Sequence, residues 1–465
     1  MATPTDSANL STQQLLELDS KYCSFGDTVH YYNPPKIFSD CDGSYLFDEK
    51  GTPYLDLQMW YSAVNFGYKN KRLNDALKKQ IDKLPQLACQ YLHKEKIELS
   101  TRISQYCEKT FGVKGRVHYN VGGSQAIEDA IKVVRNATGR NLNFAFQGSY
   151  HGRTLGATSI TSSYRYRRPY NHFGERAHFA YYPYCFRCKY DKKPDTCDLY
   201  CHQQFAHNFD TEYASYWDPK AKESEFSAFF AESVQGTGGY IVPPQGYYAR
   251  LKETLDQHKI LFVDDEIQMG FYRTGKFWGI EHFGVTPDII VFGKALTNGL
   301  NPIAGLWARE ELINPEIFPA GMTHSTFASN PLGTAVALEA LKLMEDSNYE
   351  ERVPVEGAYF LKLLQQLQSK YPKCVGEVGG LGMALRLEVC KDDGITPDPK
   401  MTHNIAQEGL KGDLVLGGKN YGLVLDIGGY YKNVFTLAPS LEISREEMEQ
   451  AIVLLDQLFA RCGMS

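Results

Sequence analysis

Two short apolar runs, Ile260–Val263 and Ile289–Phe292, have the length and β-branched content of strands buried on both faces. Each ends on charge: the first leads into Asp264-Asp265-Glu266, the second into Gly293-Lys294. Further strands are predicted at Val117–Val121, Phe144–Phe146 and Phe226–Ala231. Apolar residues at a 3.6-residue period predict helices over Leu73–Leu84, Lys94–Thr110, Ala126–Thr138, Tyr247–His258 and Leu332–Met344. Near the start, Leu15–Leu18 suggests a short helix, and the paired prolines of Tyr31–Pro35 exclude one. Cys41–Asp56 alternates and turns like a meander of short strands. From about Val353 the pattern is that of a separate α+β unit, with helices at Tyr359–Ser369 and Arg445–Arg461 around strands near Met383–Val389 and Val434–Leu437.

Ligands of open α/β sheets bind outside the carboxyl ends of the strands. A carboxylate and an amine at neighbouring strand ends suit pyridoxal phosphate, whose aldehyde takes a lysine and whose ring nitrogen takes an acid. The same spacing also fits an ordinary acid at a strand end and a lysine at a sheet edge. Two further segments bear on the choice. Gly122-Gly123-Ser124-Gln125 reads as a tight turn that presents backbone N–H groups at a helix N-terminus, where phosphate binds. Tyr150 or His151, just past a predicted strand, can stack on a heterocycle. The aromatics of the loop at Trp60, Tyr61 and Asn65–Tyr68 form either a local hydrophobic cluster or a substrate-pocket wall.

Composition narrows the setting. With 465 residues, 43% hydrophobic and 22% charged, the chain is of ordinary globular type, and its net charge of −6 gives no pull toward nucleic acid. No secretory pattern opens it, and no apolar run approaches the roughly 20 residues that span a bilayer. Eleven scattered cysteines suit a reducing compartment, so a cytoplasmic location is expected.

Taken in order, the motifs resemble the class III (ω-) aminotransferase family of fold-type I pyridoxal-phosphate enzymes, from about Tyr45 to Leu454. The resemblance implies an α/β fold. Its large domain, residues 76–345, carries a mostly parallel central sheet flanked by helices, and a small α+β domain is assembled from residues 1–75 and 346–465. Gly122-Gly123-Ser124-Gln125-Ala126 stands for the family's phosphate turn, which implicates Gly123 and Ser124. Tyr150-His151-Gly152-Arg153-Thr154 matches the aromatic-His-Gly-Arg-Thr motif, so Tyr150 is implied to stack on the cofactor ring. Glu232 matches the acid of Glu-Pro-Val-Gln-Gly that helps gate substrate carboxylates.

In Asp265-Glu266-Ile267-Gln268-Met269-Gly270, Asp265 takes the place of the ring-nitrogen partner and Gln268 that of the residue on the phenolic oxygen. Lys294 stands for the Schiff-base lysine, although Ala295 replaces the usual glycine. Thr326 matches the threonine that reaches phosphate in a partner subunit, implying a homodimer. The implied reaction is a ping-pong transfer of an amino group from an amine, ω-amino acid or diamino acid to a 2-oxo acid. Lys294 acts in it as anchor and base. Racemisation or epimerisation by the same family's chemistry is the alternative.

One departure concerns substrate. The family's carboxylate-binding arginine is replaced by Thr436, which cannot form a bidentate ion pair. Arg386 and Arg153 are candidates to replace it, and Trp60 and Tyr61 point to an aromatic donor pocket.

An insertion at about 181–208 carries Cys185-x-x-Cys188 and Cys197-x-x-x-Cys201. This spacing is compatible with tetrahedral zinc, with reduced cysteines packing a surface lobe, or with a disulfide. With the basic aromatic run Tyr164–Tyr170 it also admits a zinc-knuckle module on single-stranded nucleic acid. A non-catalytic cofactor-binding protein is a third class, against which the intact Asp265 and Lys294 argue.

Overall fold

A computed structural model describes residues 10–26, 32–167, 170, 176–211 and 213–464. The first nine residues of the polar leader, Tyr31 of the proline turn and the Arg168-Pro169 step of the basic aromatic run lie outside the described residues.

A seven-stranded sheet forms the centre. Across it the strands run Gly115–Asn120, Ala304–Arg309, Ile289–Phe292, Leu261–Asp265, Phe226–Ala231, Leu142–Phe146 and His178–Ala180. Ala304–Arg309 is antiparallel to both neighbours, and every other pairing is parallel. Phe226–Ala231 and Ile289–Phe292 are buried at every position, as befits strands covered on both faces, and the one polar side chain among them, Ser227, bonds to the Leu142 carbonyl and Asn143 Oδ1. Asp265 pairs with Val291, so the acid-ended and lysine-ended strands finish side by side.

Helix Gly123–Thr138 covers one face of this sheet, and helix Pro331–Asp346 packs against Lys71–Lys83 and Lys94–Phe111. Phe144 stacks on Phe226 with ring centroids 3.7 Å apart, and Phe205 and Phe209 of the cysteine-bearing insertion close edge-on around them. The insertion is therefore rooted in the core.

Of two smaller sheets, one draws on both halves of the sequence and the other on the C-terminal part alone. The predicted meander forms strands Phe38–Asp42, Tyr45–Asp48 and Pro53–Asp56, and the last runs parallel to Lys419–Val424 with Gly422 opposite Tyr54. Val375–Leu381, Ala384–Val389, Val434–Leu437 and Asp426–Gly428 form the other. Among the described residues no helix is long and apolar enough to cross a membrane.

Three local features depart from expectation. The helix expected from Tyr359 begins at Tyr349 and runs through Pro354, which sits near its start and forfeits a single backbone bond. The expected turn at Gly122–Gln125 shrinks to Gly122, and helix begins at Gly123. Met59, Trp60, Tyr61 and Ser62 all have positive φ, from 44° to 68°, making a left-handed turn of non-glycine residues. Such backbone costs about 1–2 kcal/mol per residue and needs support from outside. Buried Arg273 supplies it, donating to Ser62 Oγ at 2.8 Å, to Asn65 Oδ1, and to the carbonyls of Met383 at 3.1 Å and Pro439 at 2.7 Å.

Candidate active site

Asp265 is the last residue of its strand and is 4% exposed. Its Oδ2 lies 2.8 Å from Nδ1 of buried His151, and its Oδ1 accepts the Ile267 N–H at 3.2 Å. One strand over, Lys294 is separated from Phe292 by Gly293, and Lys294 itself has φ of 42°, a left-handed backbone costing about 1–3 kcal/mol and characteristic of functional positions. Burial lowers the pKa of its half-buried amine, while the carboxylates of Asp265, Glu232 and Asp426 act in the opposite direction.

The helix that starts at Gly123 has no side chain capping its first turn, because Gly122 occupies the cap. Ser124 Oγ accepts the Arg153 N–H at 3.1 Å, which ties this helix start to the Tyr150–Thr154 loop. The two approach closely at Gly152, with φ of 129°, where an added Cβ would lie 2.2 Å from Ser124 Oγ. The open helix N-terminus is thereby left with its N–H groups facing inward, an arrangement suited to an anion.

Glu232, just past the Phe226–Ala231 strand, accepts the Tyr150 N–H at 3.0 Å and the Gly236 N–H at 2.8 Å. Burial pushes its pKa up to about 7; Asp265 pushes the same way, and His151 opposes. Gln268 Nε2 donates to the Tyr240 hydroxyl at 2.9 Å.

Seven residues expected at the site, Gly123, Ser124, Tyr150, Glu232, Asp265, Gln268 and Lys294, wall one cavity of about 200 Å³, and His151 joins them. Others lie elsewhere. Thr326 is exposed on its loop. Trp60 and Tyr61 are 54% and 44% exposed and do not wall the cavity; the Trp60 ring lies against Gly299. Arg153 is exposed beside the cavity, its guanidinium 4.5 Å from the centre of the Tyr166 ring, which meets Tyr150 edge-on.

Arg386, one candidate for the missing arginine, does not line the cavity. It is buried among Glu377, Glu388 and the Tyr184 hydroxyl, away from the cavity wall. Thr436 is also buried and donates to the Asp426 carboxylate. His151, considered from sequence only as a stacking ring, proves to be the partner of Asp265, while the support from Tyr240 and Arg273 was not anticipated. No sequence period signals them, because each acts across a long stretch of chain.

The sequence model of the family described as aminotransferase class-III matches residues 28–459. The chain belongs to the class-III aminotransferases. It is 30% identical to a 5-aminovalerate aminotransferase of Pseudomonas aeruginosa, over 91% of this chain and 93% of that protein. It is 29% identical to an alanine/serine racemase of Pyrococcus horikoshii, over 96% of this chain and 90% of that one. Among solved structures, an amine transaminase from an uncultivated Pseudomonas species, in its PLP-bound form, superposes with a TM-score of 0.83 at 27% identity, covering 95% of this chain and 99% of that one.

The protein is therefore a pyridoxal-phosphate-dependent transaminase. The readings as a nucleic-acid module or a non-catalytic binder give way to this one. The cavity fits the cofactor: an uncapped helix start and a side-chain-free Gly152 leave room and donors for phosphate, and an acid and an amine stand at adjoining strand ends.

Proposed function

We propose that this aminotransferase transfers an amino group from an amine, ω-amino acid or diamino acid to a 2-oxo acid, with Lys294 as its catalytic base. The observation that carries the assignment is the pairing of adjacent strand ends that brings Asp265 and Lys294 to one cavity.

Gly123 N–H and the Ser124 hydroxyl would hold the cofactor phosphate, the Tyr150 ring would stack on the pyridine, and Gln268 would meet its phenolic oxygen. Asp265, braced by His151, would keep the ring nitrogen protonated. Bound cofactor supplies an aldehyde that takes the amino group and a ring that accepts the electron pair left when the substrate α-hydrogen departs as a proton. The Lys294 amine anchors the aldehyde at rest. Freed by the incoming substrate amine, its Nζ would take the proton from the substrate α-carbon and deliver it to the cofactor's former aldehyde carbon, C4′. Burial, by lowering its pKa, keeps more of the amine in the neutral form this task needs.

Arg153 at the mouth is the proposed carboxylate partner in place of an arginine at Thr436, with Glu232 as the gate and Trp60 and Tyr61 as aromatic contacts for the donor. Thr326 is assigned to the phosphate of a partner subunit, which makes the working unit a homodimer. The division into residues 1–75, 76–345 and 346–465 belongs to the same proposal, supported by the pairing of Pro53–Asp56 with Lys419–Val424. Eleven cysteines, an odd number scattered along the chain apart from one cluster, support a cytoplasmic setting.

The test is a panel of amines, ω-amino acids and diamino acids with pyruvate or 2-oxoglutarate as acceptor. New amino acid formed from the acceptor, with parallel-line kinetics, is expected. The racemase relative makes optical activity the companion readout. Racemisation of an α-amino acid with no amino group reaching either acceptor overturns the transaminase assignment.

A further inference from the structure

Lys294 stands on a loop that has little regular structure of its own. From Lys294 to Ile303, between the lysine-ended strand and its antiparallel neighbour, the one regular element is the single 3₁₀ turn Lys294–Thr297. Lys294, Asn298, Gly299 and Asn301 all have positive φ, at 42°, 50°, 77° and 45°. Left-handed backbone at residues other than glycine persists only where its surroundings fix it.

Asn298 supplies the fixing contact. Its N–H closes the turn on the Ala295 carbonyl at 3.1 Å, and its side chain is turned inward, leaving the residue 5% exposed. Asn298 Oδ1 accepts the Phe66 N–H and Nδ2 donates to the Gly67 carbonyl, both at 2.9 Å. The side-chain amide thus pairs with backbone as a neighbouring strand would, using a donor and an acceptor at once. Beside it, the Trp60 ring and Val64 lie over Gly299, each 3.5 Å from where a Cβ would stand.

The segment that Asn298 grips is itself held. Phe66 is buried and stacks on Tyr349 with ring centroids 5.8 Å apart. Just before it, Asn65 receives the Arg273 guanidinium on Oδ1 and the Leu441 N–H on its carbonyl at 2.7 Å. The left-handed turn Met59–Ser62, braced by the same arginine, leads into this segment. The strained turn and the lysine loop therefore meet at Asn298 and Gly299.

We propose that Asn298 is the positioning residue for Lys294, clamping the lysine loop to the Phe66–Gly67 backbone so that the freed amine occupies one place. This role rests on Lys294 being the anchor and base of the proposed transfer. While Lys294 holds the aldehyde, that bond restrains its Nζ as well. Once the incoming amine displaces it, the backbone alone limits where the long side chain swings, and a misplacement of about 1 Å costs on the order of 100-fold in rate. Loss of the clamp should therefore fall on proton movement and spare cofactor capture.

The test compares wild type, N298G and N348G as full-length proteins. Glycine accepts left-handed backbone, so N298G removes the two side-chain bonds without adding strain. Asn348, exposed at the start of helix Tyr349–Lys370 with φ of 49°, is the matched control. In apoprotein, hydrogen exchange at the Phe66 amide should quicken in N298G alone. With pyridoxal phosphate added, all three should develop the borohydride-reducible band to the same extent. The donor half-reaction per bound cofactor, run with the best donor of the panel, should slow about 10- to 100-fold in N298G. Its isotope effect with that donor deuterated at the carbon bearing nitrogen should grow, because proton transfer becomes limiting. N348G should match wild type throughout. If N298G does not fold, N298D decides: it keeps the acceptor for Phe66, loses the donor to Gly67, and should show the same slowing and larger isotope effect. A half-reaction within about threefold of wild type overturns the proposal, as does a slowing with an unchanged isotope effect, which marks a purely structural residue. Wild type that releases no carbonyl product removes the transaminase assignment and this role together, whereas an active wild type with an unaffected variant removes this role alone.

Discussion

Replacing Gly152 with alanine tests the phosphate cradle at its tightest point. The new methyl group would lie 2.2 Å from Ser124 Oγ, 2.7 Å from its Cβ and 3.0 Å from its Cα, on a backbone with φ of 129°. Ordinary van der Waals contact begins near 3.4 Å, so rotation of the Ser124 side chain alone does not relieve the clash: the start of helix Gly123–Thr138 must also shift. Strain and overpacking together cost about 2–6 kcal/mol if nothing moves. Movement trades that cost for the Ser124 contacts. A hydrogen bond to a charged phosphate contributes about 1.5–3 kcal/mol, so its loss weakens cofactor binding about 10- to 150-fold. Titrating apoprotein with pyridoxal phosphate, followed by the visible band, measures this. G139A is the control, because Gly139 also has positive φ, of 69°, with nothing within 4 Å of an added Cβ. It should lose only about 1 kcal/mol of stability and no cofactor affinity. A G152A protein that binds the cofactor within threefold of wild type refutes the assignment of Ser124.

Three further outcomes are expected. K294A should abolish turnover, and the purified variant should lose the borohydride-reducible visible band; persistence of that band with no amine added excludes this lysine. Glu232 supplies a pH signature: with a folded pKa of about 7 against an unfolded value of 4.5, the folded apoprotein keeps a proton that the unfolded chain has already released. Its contribution is present below pH 4.5 and is lost as pH rises through 7, about 3 kcal/mol in all. Urea denaturation of apoprotein across that range should show a shallower fall for E232Q, and identical slopes contradict the raised pKa. R273M strands the Ser62, Asn65, Met383 and Pro439 acceptors and should cost about 3–5 kcal/mol in denaturation; a loss under 1 kcal/mol means that the left-handed turn stands without it.

What was legible in the sequence was what burial dictates locally. Ile289–Phe292 matches its predicted strand end to end, because a strand covered on both faces must be apolar at every position. The motifs at Gly123, Tyr150, Glu232, Asp265 and Lys294 were legible too, and the fold gathers them at one cavity. The remainder depends on contacts across the chain. Nothing in Met-Trp-Tyr-Ser announces positive φ, and the arginine that holds this turn is far away in sequence. Val375–Leu381, with its three glycines, is not among the expected strands, and it is held as one by pairing with Ala384–Val389. The sequence does not show that Arg386 is paired with Glu377 on the neighbouring strand and with Glu388 on its own.

The most direct test of the central claim is a single half-reaction: holoenzyme mixed with an amino donor and no acceptor. The account predicts loss of the cofactor's visible band and release of about one equivalent of carbonyl product per active site, with the band restored when a 2-oxo acid is added. Racemisation of the donor with no carbonyl product released contradicts it.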